Sequence, residues 1–209
     1  VTTVAASTKG ELRYALEGSV FNAGSTVQWL RDELGLIKDA SETEELALSV
    51  PDTAGTYLVP AFTGLGAPWW DAEARGLICG LTRGCTRAHL ARAALESIAY
   101  QAYDVLEAMR NDFPCDIEEL AVDGGGSQNR FTMGWQAGLL QRPVVRPKTA
   151  EVTALGAAYL AGLNAGYWKD LESLRANAVQ ATRFKPEIAA ELRQQSLDGW
   201  YRALNRARG

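Results

Sequence analysis

One strand–turn–helix unit in the second half of the sequence constrains the fold more than any other feature. The stretch 119–122, in which Leu-Ala-Val follows a glutamate, is typical of a strand, and a helical pattern follows at 128–140. The turn between them, Asp-Gly-Gly-Gly-Ser at 123–127, has three glycines that leave the backbone accessible without a Cβ atom in the way. A hydrophobic strand that leads into a helix through such a turn predicts an α/β domain.

The remaining elements agree with this class. A long helix is predicted at 86–110, where apolar residues recur every three or four positions. The helix after the loop at 22–25 is expected to carry Val27, Leu30, Leu34 and Ile37 on one face. The other expected elements are helices at 42–50, 151–165 and 188–206, strands at 57–62, 77–81 and 144–145, and a hairpin at 1–16 that turns at Lys9-Gly10. Since no linker or repeat divides the chain, we predict one domain.

Composition narrows the classes of function. The chain has 209 residues, of which 47% are hydrophobic and 22% charged, which is typical of a soluble globular domain. No apolar run approaches the roughly 20 residues that a membrane-spanning helix needs. The net charge is −4 and no Lys/Arg cluster is present, so we expect neither a nucleic-acid partner nor a membrane partner.

The cysteines and the single histidine indicate neither a metal site nor a hydrolase. Cys79, Cys85 and Cys115 are odd in number and lack zinc-type spacing, so we expect reduced thiols in a cytoplasmic protein. His89 is expected to be a polar residue at a helix start, which argues against a Ser-His-Asp hydrolase. The sequence begins without Met and without a basic-then-apolar leader. We therefore expect no secretory signal and a piece of a longer protein.

The glycine turn is the strongest candidate for a binding site. Free N–H groups and the positive end of a helix dipole suit an anion or a polar ring edge at a helix start. We expect Gly124 and Gly125 to face such a ligand and Asn129 to project toward it from the first helical turn. The pattern matches neither the Rossmann nor the Walker motif. Asp123 is expected to brace the turn rather than to act in catalysis.

Two further segments have an unusual composition. The helix around 153–158 is rich in small residues, which allows another helix to pack very close. The segment 60–71 is predicted to be a loop anchored by Trp69 and Trp70, and Asp71 is expected to brace that loop.

Several segments resemble the FGGY carbohydrate kinases, and the glycerol kinases among them. The segment 24–30 (GSTVQWL) resembles the start of the second domain of glycerol kinases. The segment 62–71 (FTGLGAPWWD) is similar to a stretch that distinguishes glycerol kinases from relatives acting on xylulose, gluconate or fuculose. The segment 76–96 is similar to the second pattern of the family. The resemblance covers nearly the whole chain, from about residue 2 to about residue 200.

The resemblance implies a ribonuclease-H-like domain of the actin/Hsp70/sugar-kinase ATPase fold, a mixed sheet of five strands flanked by helices. It implies that ATP or ADP, with Mg²⁺, binds in a cleft between two such halves. Gly24 and Gln28 would contact the nucleotide from one helix, and Gly125, next to Gly124, and Asn129 would contact it from the other side. The small-residue helix would be one of two connecting helices at the hinge.

The resemblance also implies what lies elsewhere. The phosphate loop, the Arg-Glu pair that holds the polyol, the catalytic aspartate and the metal ligands would belong to segments outside this sequence. We therefore expect no catalytic or metal-ligating residue here and no turnover by this chain alone. The parent enzyme would phosphorylate glycerol, held by its N-terminal half, and would be cytoplasmic and homo-oligomeric.

Three alternatives stay open at this point. The chain could belong to another FGGY kinase that acts on a pentulose, erythritol or a similar polyol. It could be a stand-alone nucleotide-binding or regulatory module without catalytic activity. Half of an Hsp70- or actin-like ATPase is the third alternative, but it leaves the segment 62–71 unexplained.

Overall fold

Seven helices and seven strands make up the part of the chain that the computed structural model describes, which is residues 1–5, 12–114, 117–149, 151–176 and 181–208. In chain order they are β1 (Thr2–Ala5), β2 (Arg13–Leu16), α1 (Gly24–Asp32), α2 (Glu42–Leu48), β3 (Tyr57–Val59), β4 (Leu77–Cys79), α3 (Arg87–Asp112), β5 (Leu120–Ala121), α4 (Arg130–Leu140), β6 (Val144–Pro147), α5 (Val152–Asn164), α6 (Leu171–Ala176), β7 (Ala181–Phe184) and α7 (Ala190–Arg208). A 3₁₀ turn, Gly125–Gln128, precedes α4.

Helix α3 is the central support of the domain. Helices α1, α2, α4 and α7 and strand β3 all pack against it. Its stripe of alanines, including the fully buried Ala94 and Ala99, lets these neighbours approach closely. The predicted helix at 86–110 is therefore confirmed, and His89 lies at its start, where Nδ1 accepts a hydrogen bond from the Thr86 N–H at 3.1 Å.

An aromatic core joins α3 to α7. The rings of Tyr100 and Trp200 stack with their centroids 5.2 Å apart, and both residues are 1% exposed. Leu139 of α4 and Leu204 of α7 are fully buried in the same cluster. Burying a large apolar side chain contributes about 1.5–3 kcal/mol, so this junction is a principal source of stability.

The strands form a mixed sheet and two antiparallel pairs. In the mixed sheet β5 pairs with β6 in parallel, and β7 pairs with β6 antiparallel. Strands β1 and β2 form one antiparallel pair, and β3 and β4 form the other. The mixed sheet was predicted, but the five-stranded sheet implied by the resemblance is not assembled within the described residues. No strand in this part of the chain pairs with the outer edges of β1 and β5, and the residues of β1 and β2 are mostly exposed.

Helix α1 is shorter than its apolar spacing predicted. It ends at Asp32, because Gly35 takes a left-handed conformation (φ 59°) and the Leu34 N–H bonds back to the Trp29 carbonyl. Leu34 is 42% exposed, whereas Ile37 reaches the core from the following loop. The expected helical face therefore stops at Leu30.

Other boundaries also differ from the predictions. Helix α4 begins at Arg130 rather than at 128, because the 3₁₀ turn takes the preceding residues. Strand β7 and helix α6 were not predicted. The expected turn at Lys9-Gly10 and the residue Cys115 lie outside the described residues. Cys79 and Cys85 are free thiols, as expected.

A buried carboxylate, Asp104 of α3, fixes the loop at 60–71. It accepts hydrogen bonds from the indole N–H groups of Trp200 at 2.8 Å and Trp69 at 3.3 Å, and from the Tyr201 hydroxyl at 3.1 Å. Trp69 is thus a packing anchor, while Trp70 is 62% exposed. Asp104 is only 4% exposed, and this burial raises its pKa to about 6.

Asp71 braces the same loop, as predicted. One of its carboxylate oxygens accepts hydrogen bonds at 3.0 Å from the backbone N–H groups of Glu73 and Ala74. The other carboxylate oxygen lies 3.6 Å from Arg208 Nε at the end of α7.

The raised pKa of Asp104 predicts a pH-dependent stability. The native state binds this proton more tightly than the unfolded chain, in which the pKa takes its ordinary value of 3.8. The contribution of Asp104 to the free energy of unfolding should therefore fall by about 2 kcal/mol between roughly pH 4 and pH 6 and change little above about pH 7. Urea unfolding measures the free energy of unfolding of the wild type and of Asp104→Asn at each pH. The difference between the two proteins isolates this effect, because the contributions of the other titrating groups cancel. Parallel pH profiles for the two proteins would contradict the prediction.

Candidate functional site

The glycine turn begins where β5 leaves the mixed sheet. The Val122 N–H still bonds to the Val145 carbonyl at 2.9 Å, and the chain then turns at Gly124. Gly124 has φ 78° and ψ 177°, a backbone region that essentially only glycine occupies. The Ser127 hydroxyl donates to the Gly124 carbonyl at 2.7 Å and closes the turn.

The outer side of this turn is open. A Cβ atom placed on Gly124, Gly125 or Gly126 would meet no atom within 4 Å. Of the three, only Gly124 has a positive φ. Packing within the described chain therefore does not require glycine at 125 or 126, and the space beside them is free for a ligand.

Asn129 is the N-cap of α4, which differs from the predicted position in the first helical turn. Its Oδ1 accepts hydrogen bonds from the Thr132 N–H at 3.0 Å and from the Thr132 hydroxyl at 3.1 Å. Its Nδ2 donates to Thr43 Oγ1 at 3.2 Å. The correction has a physical reason, since Asn is among the preferred N-cap residues and satisfies a free helix N–H. One Nδ2 hydrogen remains for a ligand.

Helix α2 borders the site, which the prediction of a helix at 42–50 did not foresee. Thr43 and Ala47 of α2 are buried. Glu44 Oε2 accepts a hydrogen bond from the backbone N–H of Arg130, the first residue of α4. A carboxylate at this position also complements the positive end of the α4 dipole.

Arg146 of β6 holds the opposite side of the turn. Its Nη1 donates to the Ser127 carbonyl at 2.7 Å and to the Gln128 carbonyl at 3.1 Å. Its guanidinium lies 5.5 Å from the centroid of the Phe184 ring. Asp123 was expected to brace the turn, but it is exposed and makes no hydrogen bond to the turn within the described residues. Ser127 and Arg146 brace the turn instead, because their donors reach its carbonyls.

Gly24 and Gln28 lie one turn apart on the exposed face of α1. A Cβ atom on Gly24 would meet nothing within 4 Å. The N-cap of α1 is Ala23, which offers no capping side chain. Asn22, the residue before it, is tied to α3, because its carbonyl accepts from Gln101 Nε2 at 3.1 Å. No hydrogen bond joins Gly24 or Gln28 to the glycine turn in the part of the chain described.

A buried ion pair holds α2 against α3 and α4. Arg92 Nε lies 2.8 Å from Glu96 Oε1, and Arg92 Nη1 donates to the carbonyls of Ala47 at 3.3 Å and Val50 at 2.7 Å. The guanidinium also lies 4.9 Å from the centroid of the Phe131 ring of α4. Burial raises the pKa of Glu96 to about 7, although the bonds from Arg92 act in the opposite direction.

Sequence reasoning missed Thr43, Glu44 and Arg146. A Thr and a Glu in the first turn of a short helix carry no signal beyond ordinary helix-start preferences. Their partners lie 86 residues away in sequence. Arg146 falls in a short strand between prolines, where its partners are equally invisible. An alignment of related sequences is the kind of information that could have revealed these pairs.

Acidic, thiol and imidazole side chains do not converge into a metal site in the described part of the chain. Its residues contain no group of three or more His, Cys, Asp or Glu side chains arranged to bind a metal ion. Among the same residues, no helix is both long enough and apolar enough to cross a membrane.

Comparison with known proteins decides the family. The sequence model of the FGGY family of carbohydrate kinases, C-terminal domain, matches residues 1–165. The chain belongs to the FGGY family of carbohydrate kinases. It is 57% identical over 208 residues to a glycerol kinase of Burkholderia pseudomallei, and the match covers 100% of this chain and 42% of that protein. The chain thus spans less than half the length of the curated relatives it matches.

Solved structures give the same result for the fold. The crystal structure of Plasmodium falciparum glycerol kinase with ADP superposes with a TM-score of 0.91 at 33% identity, covering 99% of this chain and 42% of that one. A ligand-bound xylulose kinase from Lactobacillus acidophilus superposes with a TM-score of 0.74 at 26% identity, covering 92% and 39%. The predicted actin/Hsp70/sugar-kinase ATPase fold is therefore confirmed.

Substitution of the turn glycines by alanine should change the free energy of unfolding by different amounts at different positions. Gly124→Ala should lower the free energy of unfolding by about 1–3 kcal/mol, because alanine is strained at this backbone conformation. Gly125→Ala should leave stability unchanged or raise it by up to about 1 kcal/mol, because the site is open and the unfolded chain loses freedom. Urea titrations of both variants and of Gly126→Ala, the matched control, measure this. Equal losses at all three positions would show that packing, not ligand access, requires these glycines.

Proposed function

We propose that the chain is the nucleotide-binding C-terminal domain, over residues 1–209, of a glycerol kinase. The parent enzyme would transfer the γ-phosphate of ATP to glycerol and release glycerol 3-phosphate. The observation that carries the proposal is the open glycine turn at the start of α4, in an FGGY domain that resembles glycerol kinases along its whole length.

Glycerol is favoured over other polyols by the comparisons. The glycerol kinase of Plasmodium falciparum superposes better than the xylulose kinase of Lactobacillus acidophilus, with TM-scores of 0.91 and 0.74. The sequence identity differs in the same direction, 33% against 26%. The 57% identity to a curated glycerol kinase supports the same choice.

The proposed nucleotide wall has two parts. Gly124 and Gly125 would let an adenine nucleotide approach the backbone, and Asn129 would offer its remaining Nδ2 hydrogen. Gly24 and Gln28 would contribute the second part from the exposed face of α1. The Plasmodium falciparum glycerol kinase was crystallised with ADP, which supports a nucleotide as the ligand. The contribution of this chain is binding and orientation rather than chemistry.

Magnesium is proposed as a companion of the nucleotide, but the residues described do not fit a metal site of their own. We derive no step through the ion. The polyol contacts and the catalytic base are likewise assigned to the N-terminal part of the parent enzyme. We extend the proposal to a cytoplasmic, homo-oligomeric parent on the glycerol kinase resemblance alone.

Nucleotide binding by the chain can be measured directly. Calorimetric or amide-shift titration with ADP and Mg²⁺ should show saturable binding. Gly125→Val and Asn129→Ala should weaken it about tenfold or more, because one places side-chain atoms in the open space and the other removes a donor. Gly84→Val, at an exposed glycine before α3, is the matched control and should bind as the wild type does. Wild-type affinity in both site variants would argue against this wall.

The chain alone should not turn over. Phosphoryl transfer depends on positioning by both walls of the cleft, and this chain supplies one of them. A coupled assay with MgATP should therefore detect no ADP production that depends on glycerol. The full-length parent, assayed beside it, should phosphorylate glycerol in preference to xylulose or erythritol. Glycerol-dependent turnover by the 209-residue chain would overturn the division of labour proposed here.

A further inference from the structure

The side-chain amide of Asn129 is held in one orientation by partners of fixed polarity. The Thr132 N–H can only donate, so the atom facing it must be the carbonyl oxygen Oδ1, at 3.0 Å. The other end of the amide, Nδ2, then faces Thr43 Oγ1 at 3.2 Å. Among the described residues, one hydrogen of the amide is left without a protein partner.

The Thr43 hydroxyl is itself held in one orientation, so it can orient the Asn129 amide. It is 1% exposed, and its hydroxyl donates to the Ala40 carbonyl at 2.6 Å. Because its single hydrogen is used there, Oγ1 can only accept from the Asn129 amide. The Thr43 hydroxyl therefore favours the amide orientation that places Nδ2 against it. It disfavours the flipped orientation, which would place Oδ1 there.

Helix α2, which carries Thr43, is anchored at both ends. Near its start, Glu44 accepts the N–H of Arg130. At the other end, Arg92 donates to the carbonyl of Ala47 in the last turn and to that of Val50 just past the helix. Thr43 thus reaches the site from a helix whose position is set by α3 and α4.

We propose that Thr43 is a positioning residue for nucleotide binding, which orients the Asn129 carboxamide and leaves its second Nδ2 hydrogen for the ligand. This inference rests on the proposed function, since it assumes that Asn129 contacts the nucleotide. Thr43 does not contact the nucleotide in this arrangement. It acts through Asn129.

The first test replaces the hydroxyl by a methyl group of similar shape. Thr43→Val should weaken ADP binding about three- to tenfold, the effect of one hydrogen bond, whereas Thr43→Ser keeps both hydrogen bonds and should stay within about twofold of the wild type. Binding is measured at a temperature where circular dichroism shows every variant folded. Wild-type affinity in Thr43→Val overturns the proposal.

A double-mutant cycle separates positioning from general support of the fold. In the Asn129→Ala background, Thr43→Val should cause no further loss of ADP affinity, because the group it orients is gone. A loss as large as in the wild-type background would show that Thr43 supports the domain by another route and would overturn the proposal.

If Thr43→Val does not fold, a variant on the surface of α2 tests the same positioning role. Glu44→Ala removes the anchor of α2 on the first N–H of α4 and should weaken ADP binding about two- to threefold. Glu45→Ala, at the exposed neighbouring carboxylate, is the matched control and should have no effect. Equal affinities for these two variants would count against α2 as the positioning element.

Nuclear magnetic resonance of the nucleotide-free chain distinguishes a failure of this inference from a failure of the proposed function. The Nδ2 protons of Asn129 should shift and exchange faster with water in Thr43→Val, but not in Thr43→Ser. If the wild type binds no ADP, the nucleotide wall fails, while changed amide protons would still support the orienting contact. Unchanged amide protons in Thr43→Val overturn the orienting role itself.

Discussion

The guanidinium of Arg92 is buried where α2, α3 and α4 meet, and its contacts hold α2 beside the candidate site. It pairs with Glu96, closes the carboxyl end of α2 and lies over the Phe131 ring. A buried charge of this kind adds little net stability compared with apolar packing, but removing one partner leaves the other uncompensated. We therefore expect its main effect to be specificity, because an arrangement of the three helices that left the guanidinium unpaired would be strongly disfavoured.

One side of the candidate site, the side that α2 forms, takes its geometry from this junction. The glycine turn has few contacts of its own on its outer side. Its shape comes from Ser127 within the turn, from Arg146 on the sheet and from α2 at the start of α4. A ligand-binding backbone that is open to solvent needs such support from behind, since nothing in front holds it before the ligand arrives.

The features that depend on local sequence patterns could be predicted from the sequence. The α/β class, the long helix α3 and the glycine turn follow from periodicity and from breaker residues that act over a few positions. The end of α1 was misjudged because Leu34 continues the apolar spacing although Gly35 terminates the helix. Asn129 was recognised as important but assigned the wrong geometry, since its capping role depends on where the 3₁₀ turn stops. Thr43 and Arg146 could not be found, because their partners are distant in sequence and no local rule links them.

The 86-residue separation between Thr43 and Asn129 has a consequence for how the domain folds. Contacts between distant residues form only after the chain has closed the loop between them, so they appear late. The strand–turn–helix unit at 119–140 is local in sequence, yet its final shape needs α2 to be in place. An isolated peptide with this sequence would lack the contact to Thr43. We therefore expect the binding geometry to be completed only when α2 packs against α4.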